Sequence, residues 1–221
     1  MKRRTLLTAG GATLVLGSAF ALNLNSPQNS LLVGMANAQT DTPADPSAIA
    51  DMTIGSADAP VKITEYASFT CPHCAEFHDT VWPQLKADYI DTGKVQFTYR
   101  EVYFDRFGLW ASMIARCGGE MRFFGIADML YDKQRDWTAG GDPANIAQNL
   151  RKLGKTAGLT DEMLDTCLND GATAQNLVAW YEANAKADDI NSTPSFLIDG
   201  TKYSNMSYAD MKKIIDDAMP A

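Results

Sequence analysis

Val61-Lys62-Ile63-Thr64-Glu65-Tyr66, followed after four residues by Cys71-Pro72-His73-Cys74, decides the fold class. The first six residues alternate apolar and polar, as a strand does. Phe69-Thr70-Cys71-Pro72 breaks that pattern. From Pro72 to about Tyr89 the period is helical, with Phe77, Leu85 and Tyr89 on one face. Proline suits a first helical turn, where a missing N–H costs little. Pro83 is expected to kink the helix. Val95 to Tyr103 alternates again and reads as a second strand. Strand, helix and strand in this order point to parallel pairing and an α/β sheet.

Downstream, from Phe107 to about Asp188, the pattern is helical. One stripe holds Leu109, Trp110, Met113, Ile114 and Cys117; another holds Ile146, Leu150 and Leu153. Thr160 reads as an N-cap, with Asp161 and Glu162 in the first turn. Leu177, Val178, Trp180 and Tyr181 belong to a last long helix of the block. A block of this length is too long for a connection and is expected to pack as a subdomain. Ser195 to Ile198 is a short strand, Asp199-Gly200 a hairpin turn, and Thr201 to Tyr203 the return. Ser207-Tyr208-Ala209-Asp210 resembles a capping box opening a final helix to about Met219.

Upstream, Met1 to Arg4 is basic and Leu6 to Leu22 apolar, and Ala36-Asn37-Ala38 matches an A-x-A cleavage pattern. Residues 1–38 therefore read as a signal peptide and residues 39–51 as a flexible leader. Arg3-Arg4 leaves a twin-arginine route open, and an uncleaved anchor is the rival reading. The domain is expected over 52–221, with its helical insertion at about 107–188. Export places the working part in a periplasmic compartment where disulfides persist.

The 221 residues are 46% hydrophobic, enough for a real core. Residues 39–221 carry 16 basic and 27 acidic side chains, a net charge of -11. That balance argues against nucleic acid as a partner.

Four cysteines allow three pairings. The economical one joins Cys71 to Cys74 and Cys117 to Cys167. Cys71 sits just before a helix, where unsatisfied N–H groups and the helix dipole favour a thiolate. His73 can add positive charge or a donor. A stabilised thiolate is a good leaving group and makes the disulfide a stronger oxidant. Cys71 is then the exchanging sulfur and Cys74, one residue deeper, the resolving one. Zinc on Cys71, Cys74 and His78 lacks an obvious fourth ligand, and haem attachment would need His where Ala75 stands. No metal is expected. Cys117 and Cys167 lie on apolar stripes, and closing their 50-residue span would stabilise by about 3–4 kcal/mol. Two free thiols, or a pair that exchanges with the first, are the alternatives.

The motif Cys71-Pro72-His73-Cys74 after a strand, with Thr193-Pro194 before a later one, resembles the DsbA family of thioredoxin-fold oxidoreductases. The likeness covers about residues 52 to 219. Thr193 before the proline looks more like the broader DsbA-like group, which includes BdbD-type and alphaproteobacterial proteins. The resemblance implies a thioredoxin fold with an inserted helical subdomain. It also implies a cis Pro194 beside Cys71, leaving the Thr193 backbone free to pair with a substrate peptide.

By the same resemblance, Glu65 matches a buried acid that could relay the proton of Cys74. The plainer reading of Glu65 is a surface strand residue. The basic partner sometimes found on the next strand in the family is replaced, with Tyr99 near that place and Arg100 beside it. His78 reads as solvent-facing or helix-packing.

The expected activity is oxidation of reduced or misoxidised exported proteins through Cys71–Cys74, with no further cofactor. A membrane reoxidant of the DsbB type is implied by resemblance. A disulfide isomerase or reductase is the alternative, and a metal- or peptide-binding module the third reading. Periplasmic isomerases add an N-terminal dimerisation domain, for which residues 39–51 are too short, so a monomer is expected.

Overall fold

The computed structural model describes residues 43–220. The expected signal peptide and its cleavage site lie outside the described residues. Five strands form one sheet: β1 (Met52–Ile54), β2 (Val61–Ala67), β3 (Val95–Glu101), β4 (Ser195–Ile198) and β5 (Thr201–Ser204). Their order is β1-β3-β2-β4-β5. The central pair β2 and β3 is parallel, with Ile63 opposite Phe97 and Glu65 opposite Tyr99. The other three pairings are antiparallel. A parallel pair needs a crossover, and α1 (Pro72–Thr80) with α2 (Trp82–Leu85) supplies it.

Strand periodicity sorts the two faces. Ile63, Glu65, Phe97 and Tyr99 are buried on the face that carries the crossover helices, where Trp82 meets Phe97 and Phe77 meets Phe196. Lys62 and Thr53 are exposed. On the second face Arg100 forks onto Asp51 at 2.9 and 3.0 Å and reaches Asp188 at 3.2 Å. Tyr66 donates to the same Asp188 carboxylate. Arg100 is thus engaged on the face opposite Glu65.

The helix read from Pro72 to Tyr89 is broken. It stops at Thr80, resumes as the four-residue α2 containing Pro83, and ends in a wider turn over Lys86–Ile90. Pro83 has no N–H to continue the ladder, so the chain changes pitch there. Phe77, Leu85 and Tyr89 are nonetheless all buried.

After β3 come six helices before the chain returns to the sheet: α3 (Arg106–Cys117), α4 (Glu120–Asp132), α5 (Gln134–Trp137), α6 (Pro143–Thr156), α7 (Asp161–Leu168) and α8 (Gly171–Ala187). Asp105, Asp142, Thr160 and Asp170 cap α3, α6, α7 and α8 through their side chains. α3 is the spine, packed by α4, α6, α7 and α8. Gly154 permits a close approach: a Cβ there would stand 2.8 Å from Leu164 and 3.3 Å from Ile114. Cys117 and Cys167 are joined, tying α3 to α7. At the end of β3, Arg116 forks onto the buried Glu101 at 2.6 and 2.7 Å, anchoring α3 to the sheet.

Part of the expected leader is ordered against this block. Pro46–Ala48 forms a single 3-10 turn capped by Asp45, whose N–H donates to Asn176 Oδ1 of α8 at 2.7 Å. The block meets the sheet domain through aromatic packing. α4 lies on α1 and brings Phe123, Phe124 and Tyr131 against Tyr99, Trp82 and Phe69. The β4–β5 turn has positive φ at Asp199 and Gly200, as a two-residue hairpin requires. Ser207 caps α9 (Tyr208–Ala218), which sets Met211 and Ile215 into the core. Among the described residues, no helix is long and apolar enough to cross a membrane.

Candidate active site

β2 ends at Ala67, and the loop Ser68–Thr70 turns the chain into α1. The Cys71 N–H bonds to the Ser68 carbonyl at 3.0 Å, closing that turn. Cys71 is the N-cap of α1, with extended backbone (φ −81°, ψ 120°) and Pro72 in the first turn. The first N–H groups of a helix have no partner within it. Those of His73 and Cys74 serve the Cys71 sulfur instead.

The two thiols are unlike. Cys71 retains 8% of its surface in solvent, Cys74 none. The hydrogen bond from Cys74 lowers the Cys71 thiol most; burial opposes it, and the Thr193 hydroxyl with the two backbone N–H groups add to the lowering, to about 5. Cys74 is driven up, first by burial, then by its bond to Cys71 and the negative charge of Glu65. At neutral pH the pair is therefore one thiolate at the surface and one thiol beneath it.

His73 was expected to help through its side chain. Its ring is 74% exposed and lies 3.7 Å from Glu76, so its service to Cys71 is the backbone N–H alone. The Thr193–Pro194 bond is cis. Here the Cys71 sulfur lies 3.6 Å from the Thr193 carbonyl oxygen, just before β4 begins. The Thr193 hydroxyl is buried beside this site.

Beneath the cysteines lies a buried polar group. Glu65 is fully buried, which removes the surface reading. His78, expected to face solvent or pack on a helix, is a correction on the first count. Its side chain is 3% exposed and its Nε2 lies 2.9 Å from Glu65 Oε2. α1 turns both Cys74 and His78 inward, three and seven residues after Cys71, so one helical face carries both. The ring stacks on Tyr131 at 4.1 Å between centroids, and Tyr131 shares a 2.5 Å hydrogen bond with Tyr99. Burial holds both phenols neutral.

Two further residues escaped the sequence reading. Gln134 of α5 is buried and donates to the carbonyls of Phe69 and Cys71, each at 2.9 Å. Asp105 caps α3 and also accepts from Thr70 Oγ1 at 2.9 Å. Both fasten the Cys71 loop to the helical block. Asp105 was legible as an N-cap; nothing local marks Gln134. Among the described residues, no cluster of three or more His, Cys, Asp and Glu is placed to hold a metal ion.

A thioredoxin family model matches residues 47–217. A putative protein-disulfide oxidoreductase of Rickettsia bellii is 35% identical over 170 residues, covering 76% of this chain and 64% of its own length. Disulfide bond formation protein D of Bacillus subtilis is 25% identical and matches 77% of this chain and 78% of itself. The chain spans 61–64% of the length of the Rickettsia bellii and Rickettsia prowazekii proteins. Among solved structures, alpha-DsbA1 of Wolbachia pipientis superposes with a TM-score of 0.70 at 26% identity, covering 76% of this chain and 90% of that one.

Proposed function

From the premise that this chain belongs to the thioredoxin family, we propose that it is a thiol-disulfide oxidoreductase that oxidises cysteine pairs in exported proteins. The observation that carries this reading is the split between the two thiols, Cys71 lowered to about 5 and Cys74 raised. A thiolate this stable favours the reduced enzyme over its disulfide, which is the property of a disulfide donor. The DsbA cysteine is the general example of a thiol lowered in this way, and the chemistry at Cys71 is of that kind.

The oxidised enzyme starts with a Cys71–Cys74 bond. A substrate thiolate attacks the accessible Cys71 sulfur; the bond breaks, and its electron pair leaves on Cys74. A proton must reach Cys74, because a bare thiolate is unfavourable in that buried position. Glu65 is the carboxyl whose charge acts on Cys74, and it serves as the relay. A second substrate thiolate then attacks the substrate's own sulfur in the mixed disulfide. Cys71 leaves as a thiolate, held by the helix N–H groups and the Thr193 hydroxyl. The electrons pass between sulfurs with no other cofactor. An extended substrate can lie along the Thr193 backbone beside Cys71.

Reoxidation requires a disulfide- or quinone-linked partner, which we place in the membrane. An oxidising, extracytoplasmic compartment suits both this chemistry and the Cys117–Cys167 bond. The direct test is to mix oxidised protein with a reduced two-cysteine peptide. One peptide disulfide should form per enzyme molecule. Cys74→Ala, supplied as a mixed disulfide with the peptide, should still release oxidised peptide. Activity surviving in Cys71→Ser would overturn the assignment.

A further inference from the structure

The buried pair beneath Cys74 has a composition that the exchange chemistry alone does not explain. Glu65 bonds His78 through Oε2, while Oε1 is buried with no hydrogen-bond partner. His78 Nδ1 is likewise buried and unpartnered. An unpartnered N–H or a bare carboxylate oxygen is costly in such a place, whereas an unpartnered ring lone pair is cheaper. In the disulfide form, where Cys74 carries no proton, the arrangement that leaves least unsatisfied puts the ring proton on Nε2, donating to Oε2, and a carboxyl proton on Oε1; in the dithiol form Oε1 is the bare charge that acts on Cys74.

The surroundings favour that arrangement. Facing His78 are Glu65 from β2, Tyr99 from β3, Tyr131 and Asp128 from α4, and Trp82 from the second crossover helix. Among the described residues, no lysine or arginine is hydrogen-bonded to Glu65. Arg100, the cation nearest in sequence register, is engaged on the opposite face by Asp51 and Asp188.

We propose that His78 is the positioning residue of the proton relay: its Nε2–H holds Glu65 Oε2, so that Oε1 carries the proton that passes to Cys74. This rests on the oxidoreductase reading above. The step balances within the site. A thiolate bonds to Cys71 Sγ, the Cys71–Cys74 bond breaks, and its electron pair stays on Cys74 Sγ. The Oε1 proton reaches that sulfur, which Oε1 does not contact by a direct hydrogen bond, through one intervening water and forms Cys74–SH. Glu65 is left as a carboxylate, which the His78 N–H stabilises as a charge-assisted bond. When Cys74 re-forms the disulfide, its proton returns to Oε1.

Two measurements test this. The first uses the unaltered protein: the infrared difference spectrum between the disulfide and dithiol forms. A protonated-carboxyl band should be present in the disulfide form, fall on reduction, and be missing in Glu65→Gln. No carboxyl band in the difference spectrum would overturn the proposal. The second is the rate at which glutathione opens the Cys71–Cys74 bond at pH 7. His78→Phe, which keeps a ring against Tyr131, should slow it about 100-fold, within the range of general acid catalysis. His78→Gln, which retains an N–H donor, should recover most of that loss. Adding His78→Phe to Glu65→Gln should cost little more than Glu65→Gln alone. Equal loss in His78→Phe and His78→Gln, or full additivity with Glu65→Gln, would mean that His78 only packs. Failure of the unaltered protein to exchange with glutathione would instead sink the oxidoreductase reading.

Discussion

At the scale of single residues, the decisive contrast is between two sulfurs three positions apart. Cys71 faces helix N–H groups and the Cys74 thiol, and the latter is the largest influence lowering it. Replacing Cys74 by Ala should therefore raise the Cys71 thiol from about 5 toward the ordinary thiol range, read as the pH midpoint of ultraviolet thiolate absorbance. An unchanged midpoint would assign the whole effect to the helix terminus. The motif makes this contrast legible in the sequence, because N-cap geometry follows from Pro72 at the first turn. His78 was not legible. Seven residues from Cys71 is a spacing that any helical face could use, and burial depended on α4 arriving from a distant part of the chain.

At the scale of elements, α5 shows how the insertion bears on chemistry. A helix of four residues contributes Gln134, whose amide bridges the Phe69 and Cys71 carbonyls. Gln134→Ala would take its donor from the Phe69 carbonyl and leave the Cys71 carbonyl with the Ala75 N–H alone, costing about 1–3 kcal/mol in denaturant unfolding. The Cys71 loop should loosen with it, so exchange with a peptide thiol should slow as well. Normal stability together with normal exchange would show the bridge to be dispensable. The periodic elements were readable: the parallel strands, the caps at Thr160 and Ser207, and the Asp199-Gly200 turn stand where the sequence put them. The short pieces were not. β1 has three residues, too few for alternation to register, and it forms only because β3 offers an edge. The break at Pro83 was readable as a kink, but the wider turn over Lys86–Ile90 depends on how Tyr89 and Ile90 reach the core.

At the scale of the whole molecule, a thioredoxin-like sheet supplies the cysteines and the cis proline, and a helical block bears on them through Gln134, Asp105 and Tyr131. The Cys117–Cys167 bond lies inside that block, between α3 and α7. Its position makes it a support of the block, so the redox chemistry of Cys71–Cys74 should be separable from it. The proposed donation of the Cys71–Cys74 disulfide is the claim on which everything else rests. The most direct test is the equilibrium of that pair with glutathione buffers, measured in the protein and again with Cys117 and Cys167 both changed to Ser. A potential well above the glutathione couple is expected in both. A value near that of thioredoxin would contradict disulfide donation and make the protein a reductase or isomerase that works from the dithiol form.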